Sequence, residues 1–170
     1  MHDMLVKLYD LPDSSPYLVR LAAEGIDIRR ALAVEKHLIV EWVSAHWSAA
    51  WASECDVAFA NHPVSCYIAV DAASQDVVGF ACYDATYRNF FGPTGVLPAY
   101  RGRDIGAALL LVCLHAMHAQ GFAYAIIGGV GPSAFYARVA GAVDIEGSAP
   151  GIYRGVNWQR VGLLPSEGQR

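Results

Sequence analysis

The amino-acid sequence predicts a single α/β (α+β) domain in which helices flank a central, mostly antiparallel mixed sheet. Two apolar runs at 66–70 and 77–84 enclose a polar turn, which is the pattern of a β-hairpin. Residues 105–120 carry apolar side chains at helical spacing and lead into another apolar segment. The chain has 170 residues, a length that one domain with a substantial core accounts for.

The N-terminal third predicts two strands and three helical segments. Turn-forming residues at 11–16 close the first strand, Gly25 stops the first helix, and Pro63 follows the last helix of this region. We expect the strands at 4–9 and 26–32 and the helices at 17–24, 35–51 and 53–60.

The strand predicted after the hairpin, at 90–97, contains Gly92, Pro93 and Gly95. Because proline cannot donate a hydrogen bond to a ladder, we expect this strand to be bulged or unpaired along part of one edge. Further on, we expect helices at 105–120 and 133–140, strands at 122–130, 143–146 and 152–158, and a frayed tail at 165–170.

The composition argues against two classes of partner. A net charge of −4 provides no global positive field to hold a nucleic acid. No charged residue falls between Asp104 and Arg138, but the apolar piece at 105–114 is well short of the ~20 residues that cross a bilayer. We therefore expect no nucleic acid and no membrane as partner. The 55% of hydrophobic residues leaves room for surface to be hidden in a homodimer.

The cysteines and the first ten residues indicate a cytoplasmic protein. Cys55, Cys66, Cys82 and Cys113 are widely spaced and form no C-x-x-C pair, so reduced thiols are expected. Residues 1–10 lack the basic-then-apolar order of a secretion signal. We therefore predict a cytoplasmic location.

The segment 100–107, Tyr-Arg-Gly-Arg-Asp-Ile-Gly-Ala, lies between an irregular strand and a long apolar helix. A loop of small residues that enters a helix lets several backbone N–H groups converge on one anion, and the helix N-terminus adds roughly half a positive charge. The segment therefore predicts a seat for a pyrophosphate.

Residues 98–110 resemble the acetyl-CoA-binding motif of the GNAT superfamily of N-acetyltransferases, whose core is Arg or Gln, two residues, Gly, one residue, and Gly or Ala. Arg101 and Gly106 fit this pattern, whereas Asp104 stands where the first glycine usually is. A carboxylate beside a diphosphate is repelled, but Asp is also a strong helix N-cap. We therefore predict that Asp104 caps the helix, that Arg101 and Arg103 offset its charge, and that CoA binds more weakly than with glycine.

The resemblance continues at 131–141, which is similar to the last core helix of the family and carries Phe135-Tyr136 ahead of Gly141. The Asn that usually starts this helix is replaced by Gly131-Pro132. The resemblance covers 65–158 well and the first 60 residues poorly.

By this resemblance, residues 1–170 form one N-acetyltransferase domain. Its acceptor-side elements would lie at 1–64 and its core, with the CoA motif, at 65–158. A splayed strand pair, split near residues 95 and 127, would form the acyl-CoA cleft.

The resemblance also implies the roles of individual residues, with acetyl-CoA as cosubstrate. The backbone of Val96 and Leu97 would bind the pantetheine arm and polarise the thioester carbonyl. Tyr136 would protonate the departing thiolate, because its pKa of ~10 lies above the ~8.5 of a thiol. The pyrophosphate would be cradled by Arg101, Gly102, Arg103, Asp104, Ile105, Gly106 and Ala107.

Direct attack in a ternary complex, without an acyl-enzyme, needs a neutral amine. With a lysine-like pKa, only about one amine in 2,500 is neutral at pH 7. Candidate bases are Glu54, Asp56 and Asp84, which flank the N-terminal face of the expected cleft. Asp84 follows Phe80 and Cys82 on one side of its strand.

Several features have structural alternatives. The glycine loop could be a plain strand-to-helix turn, and Tyr136 a core aromatic. Three tryptophans at near-helical spacing favour a core or a dimer face over a cage for a cation. They are Trp42, Trp47 and Trp51.

Metal and thiol chemistry are disfavoured by the sequence. His115 and His118 have no nearby Cys, Asp or Glu partner, so no metal site is predicted. Carboxylates next to Cys55 and Cys82 raise the pKa of a thiol and suppress the thiolate that a nucleophilic cysteine needs.

The function that follows is transfer of an acetyl group from acetyl-CoA to a primary amine of a small molecule or peptide. The alternative is a non-catalytic acyl-CoA-binding or regulatory module. A nucleotide-binding protein is disfavoured, because no Lys-Ser/Thr follows the glycines and no N-terminal strand–loop–helix has an acidic partner.

Overall fold

Seven strands form a single mixed sheet in a computed structural model of the chain, which describes residues 2–157. Across the sheet they are ordered β2-β3-β4-β5-β6-β1-β7, and among them β5 and β6 are the parallel pair. The predicted mostly antiparallel mixed sheet is confirmed. In chain order the strands are β1 Met4–Lys7, β2 Ile26–Arg30, β3 Cys66–Asp71, β4 Val77–Tyr83, β5 Phe90–Val96, β6 Tyr124–Ile127 and β7 Val143–Asp144.

Helices cover both faces of this sheet. The helices of the described residues are α1 Ser15–Ala23, α2 Lys36–His46, α3 Ala49–Ala60, α4 Ile105–Ala119 and α5 Ser133–Ala140. Helices α1, α4 and α5 pack on one face and α2 and α3 on the other, each over its own hydrophobic cluster. In residues 2–157 no helix is both long enough and apolar enough to cross a membrane.

The break between α2 and α3 lies earlier than the sequence predicts. We expected one helix over 35–51 and another over 53–60, but the chain breaks at Trp47 and Ser48. The Ser48 hydroxyl oxygen accepts a hydrogen bond from the Trp51 N–H at 3.2 Å, which caps α3. A local cap therefore overrides the continuous helical periodicity.

The first strand lies far from the other N-terminal elements. β1 pairs with β6, with Met4 opposite Ile127, and on its other side with β7. Met4 and Val6 are buried beside α4 residues in the same cluster. The N-terminus therefore supports β6 from its outer side, while the remaining N-terminal elements lie at the opposite half of the sheet.

The C-terminal strand predicted at 152–158 is wrong for the residues that the structure describes. Gly151–Tyr153 forms a 3-10 turn instead. Gly151 and Gly155 have φ of +60° and +86°, a backbone conformation that an extended strand does not contain. Residue 158 and the tail predicted at 165–170 lie outside the described residues.

Candidate active site

Strands β5 and β6 form a fork in the middle of the sheet. They pair only at Phe90 with Ile126 and Phe91 with Ile127, after which β5 follows β4 as far as Val96. The register of β4 and β5 shifts beside Gly92, whose φ is +122°. The bulge predicted from Gly92 and Pro93 is confirmed. The strands separate after Ile127, as predicted for β6, but after Phe91 on β5, where the split was predicted near residue 95.

Beyond the fork, β5 presents backbone groups to the open gap. The Leu97 N–H donates to the Val78 carbonyl oxygen at 2.9 Å, and the Leu97 carbonyl accepts from Tyr100 N–H at 2.9 Å. Because backbone groups alternate along an antiparallel strand, the neighbouring Val96 N–H points away from β4 and into the gap. The sequence predicts that the backbones of Val96 and Leu97 both bind the pantetheine arm. Of these two residues, only Val96 has a backbone N–H available, since the Leu97 amide and carbonyl are already hydrogen-bonded.

The backbone N–H groups of residues 102–107, the amide cluster, lie where the loop enters α4. Within residues 2–157 these N–H groups donate no hydrogen bond, whereas the Ala108 N–H donates to the Asp104 carbonyl at 3.0 Å. The Arg101 N–H donates to Pro98 at 3.3 Å, so the free donors begin one residue later than predicted. Consecutive free donors at a helix start attract an anion.

Asp104 does not cap α4, so this part of the prediction is wrong. Its φ of +60° is a left-handed conformation that glycine adopts most easily and Asp tolerates better than most residues. Its Oδ2 accepts a hydrogen bond from Arg20 Nη2 at 2.7 Å, whereas Arg103 pairs with Glu24 at 3.1 Å. Arg20 of α1 therefore neutralises the carboxylate, and the backbone conformation explains why a family glycine can be replaced here.

Tyr136 lies at the fork on the α4 and α5 face. Its ring is buried and meets the ring of Phe91 edge-on, with 6.4 Å between the centroids. Within the described residues its hydroxyl makes no hydrogen bond, and burial raises the pKa of the phenol. The tyrosine is thus protonated at neutral pH and adjoins the first residues of the open gap.

Glu54 lies on α3, on the opposite face of the sheet. Its Oε1 accepts a hydrogen bond from the Thr86 hydroxyl at 2.6 Å, and burial raises the pKa of the carboxyl. The hydroxyl of Tyr153, near Thr86, lies 3.1 Å from the point where a Cβ of Gly128 would stand. Burial, then the charges of Glu54 and Asp3, raise the pKa of Tyr153 to about 12. Gly128 directly follows β6, so the Tyr153 end of this group lies beside the gap.

The other two candidate bases are held elsewhere. Asp84 has a φ of +50°, and its Oδ1 accepts a hydrogen bond from Asn89 N–H at 2.6 Å, which closes the turn before β5. Asp56 is exposed and pairs with Lys36 at 2.9 Å, in a groove between α2 and α3. Of the three carboxylates proposed from the sequence, Glu54 is the one whose neighbours Thr86 and Tyr153 lead to the gap.

Tryptophans cover the α2 and α3 face of β5. A Cβ on Gly95 would lie under 3.0 Å from three indole atoms of Trp47, so only glycine fits there. Trp47 stacks on Trp51 with 6.1 Å between centroids and lies 5.2 Å from the ring of Phe80, while Trp42 joins at 5.1 Å. All three tryptophans are partly buried. A glycine inside a predicted strand was the available sequence signal for this close approach.

Three cysteines converge on this same face, which their spacing did not reveal. The Sγ atoms of Cys55, Cys66 and Cys82 lie within 4.8 Å of one another, in the core between α3 and the sheet. They are the side chains of the described residues that could meet one metal ion. Burial holds the pKa of Cys82 well above that of an ordinary thiol.

The histidines of α4 play no part in such a cluster. His115 Nε2 lies 2.9 Å from the Pro12 carbonyl oxygen, and His118 is exposed at the end of the helix. Within residues 2–157 no second candidate metal cluster contains them.

Sequence comparison identifies the domain type. Residues 36–141, more than half of the chain, match the sequence model of the acetyltransferase (GNAT) family. No curated protein is similar enough in sequence to be matched to this chain.

Solved structures share the fold at low sequence identity. The glucosamine N-acetyltransferase region of a fungal multi-domain GH3 β-N-acetylglucosaminidase has a TM-score of 0.69 and 16% identity over 85% of this chain and 19% of that chain. A GCN5-related N-acetyltransferase from Sphaerobacter thermophilus has a TM-score of 0.62 and 20% identity over 85% and 48%. A GNAT acetyltransferase from Brucella melitensis, in complex with acetyl-CoA, has a TM-score of 0.51 and 19% identity over 66% of this chain and 80% of that chain. This chain therefore spans about a fifth of the length of the fungal protein and about half of the length of the Sphaerobacter protein.

Proposed function

This chain belongs to the acetyltransferase (GNAT) family, and we propose that it transfers an acetyl group from acetyl-CoA to a primary amine of a small molecule or peptide. The observation that carries the proposal is the amide cluster at the start of α4, beside a gap between two parallel strands. In an acyl-CoA an anionic pyrophosphate is joined to an extended, amide-bearing arm that ends in the thioester, and these two features match that pair of sites.

The residues that would hold acetyl-CoA follow from the free donors. The amide cluster and the dipole of α4 would bind the pyrophosphate. Arg101 is exposed, and its Nε donates to the Val96 carbonyl at 3.1 Å, which keeps its charge at the mouth of the gap. The Val96 N–H would then donate to the thioester carbonyl and stabilise the negative charge that develops there.

The two remaining groups would handle protons from opposite faces of the sheet. The amine nitrogen attacks the thioester carbon, the C–S bond breaks, Glu54 takes a proton from the amine, and Tyr136 gives one to sulfur. The raised pKa of Glu54 brings this carboxyl closer to the pKa of the amine that it must deprotonate. Phe90 and Phe91 are neighbours in β5, so their side chains point to opposite faces of the sheet, and that of Phe91 meets Tyr136.

The test has a binding arm and a turnover arm. The midpoint temperature of thermal unfolding should increase when acetyl-CoA is added, because a ligand at 100 times its Kd stabilises the folded state by about 2.7 kcal/mol. Release of CoA thiol should then depend on an added primary amine. Stabilisation without amine-dependent release would support the binding module instead. The absence of any stabilisation would contradict acyl-CoA binding itself.

A further inference from the structure

The gap between β5 and β6 has an aromatic border on the α3 face, formed by Trp47 and Tyr153, with Trp51 stacked on Trp47. On the β5 side, Gly95 admits the indole of Trp47. On the β6 side, Gly128 admits the ring of Phe90 and the hydroxyl of Tyr153, with a Cβ position only 2.7 Å and 3.1 Å from them. Each splayed strand therefore has a glycine that lets an aromatic side chain approach its backbone.

One carboxylate belongs to this border. Trp51 and Glu54 lie three residues apart on α3 and so share one side of that helix. Asp3, the other acid near Tyr153, is buried, and its Oδ1 accepts a hydrogen bond from Gly129 N–H at 2.9 Å. Among the described residues, the border thus offers apolar ring surface and, in the partly exposed Glu54, a carboxylate for an amine.

We infer that the acceptor is an arylalkylamine, a single primary amine on a short chain that ends in an aromatic ring. This inference rests on the proposed acetyltransferase function. Trp47 and Trp51 would hold the ring by stacking, and Glu54 would receive the ammonium. A polyamine or an aminosugar matches less well, because further ammonium groups would find only the cation–π attraction of the indole rings, and hydroxyl groups would be desolvated there without a hydrogen-bond partner.

The experiment compares amines of similar length with the whole chain and acetyl-CoA. We expect kcat/KM for 2-phenylethylamine and tryptamine to exceed that for n-hexylamine by about tenfold, the upper range of one aromatic pair, and to exceed that for spermidine or glucosamine further. The ring preference should disappear in Trp51→Ala and in the milder Trp51→Leu. In both variants KM for tryptamine should rise by a larger factor than KM for n-hexylamine.

Trp42→Leu is the matched control, because Trp42 contacts Trp47 and Phe80 as Trp51 does, but it lies on α2 and not beside Glu54 on α3. It should leave the ring preference intact. Acetylation of several amines with no ring preference, or equal loss in the Trp42 and Trp51 variants, would overturn the arylalkylamine assignment and leave acetyl transfer standing. Binding of acetyl-CoA with no acetylation of any amine would overturn both proposals.

Discussion

The two faces of the sheet meet the fork with different kinds of chemical groups. On the α4 and α5 face, the candidate CoA site consists mostly of backbone amides from one continuous segment, with Tyr136 added from the next helix. On the α2 and α3 face, the site consists of side chains from distant segments, among them Glu54, Thr86 and Tyr153. Backbone donors suit a cosubstrate that does not vary, whereas side chains can be exchanged to suit one acceptor.

The largest expected effect is at Tyr136. Tyr136→Phe removes the proton donor without changing the ring that packs on Phe91, so kcat should fall about 100-fold or more while the Kd of CoA stays constant. The measurement is kcat by thiol release beside Kd by calorimetry. Tyr124→Phe removes an exposed hydroxyl paired with Tyr9 and should change neither. An unchanged kcat in Tyr136→Phe would assign this residue to packing alone.

Glu54→Gln should reduce kcat/KM by about 10- to 100-fold, since the amide cannot accept the proton but can still accept the Thr86 hydrogen bond. In the wild type, activity should rise as pH passes upward through the raised pKa of Glu54. A pH–rate profile checks this, with Asp56→Asn on the outer side of α3 as control. Retention of the same limb in Glu54→Gln would exclude Glu54 as the base.

Ionisation of Glu54, which is needed for activity, lowers the stability of the folded protein, and the Glu54→Gln variant tests this as well. Burial favours the protonated Glu54, so the folded state binds more protons than the unfolded chain between the ordinary pKa of about 4.3 and the raised value. The free energy of unfolding is therefore highest below the ordinary pKa of Glu54 and falls as pH rises through the raised pKa. Glu54→Gln should show a smaller loss over this range in urea unfolding, whereas a larger loss would contradict the burial argument.

Gly95→Ala tests the aromatic border. The new Cβ would overlap the indole of Trp47, and overpacking of this kind costs about 1–3 kcal/mol in the free energy of unfolding. Gly131→Ala is a suitable control, because no atom lies within 4 Å of its Cβ position. Urea unfolding measures both. Equal stabilities would mean that Trp47 does not rest on Gly95.

The smallest effect is expected at Asp104. Asp104→Gly removes a negative charge beside the amide cluster and suits the left-handed φ of +60°, so CoA affinity should rise by about two- to fivefold. Arg20→Ala should lower it by a similar factor, because the Asp104 carboxylate then lacks its partner. Calorimetry measures both. Weaker binding in Asp104→Gly would show that the carboxylate assists CoA.

The same contrast between the two faces explains what could be predicted from sequence. Helix α4 was predicted at 105–120 and ends at Ala119, because apolar spacing and Gly121 are local properties. The bulge in β5 followed from Pro93, again a local property. The predicted CoA motif is also one continuous segment, so it could be proposed from the chain alone.

Features that depend on distant contacts were missed. The pairing of β1 with β6 joins Met4 to Ile127, and Arg20 reaches Asp104 across 84 residues. The role of Asp104 was misassigned because Asp is both a good N-cap and a residue that tolerates positive φ. Glu54 could be named only as one of three acids, and no sequence pattern linked it to Thr86 or Tyr153.

The proposed acyl transfer depends most on the free amides at the start of α4, which would bind the pyrophosphate of CoA. Gly106→Pro removes one of these N–H groups at a helix position where proline is tolerated, and Gly106→Ala keeps it with only ordinary contacts, at 3.7 Å from Phe135. The Kd of CoA should rise about tenfold or more in the proline variant and stay near wild type in the alanine variant. The Kd of S-acetyl-pantetheine, which lacks the pyrophosphate, should be equal in both. Equal CoA affinities in the two variants would contradict the binding of pyrophosphate by these amides.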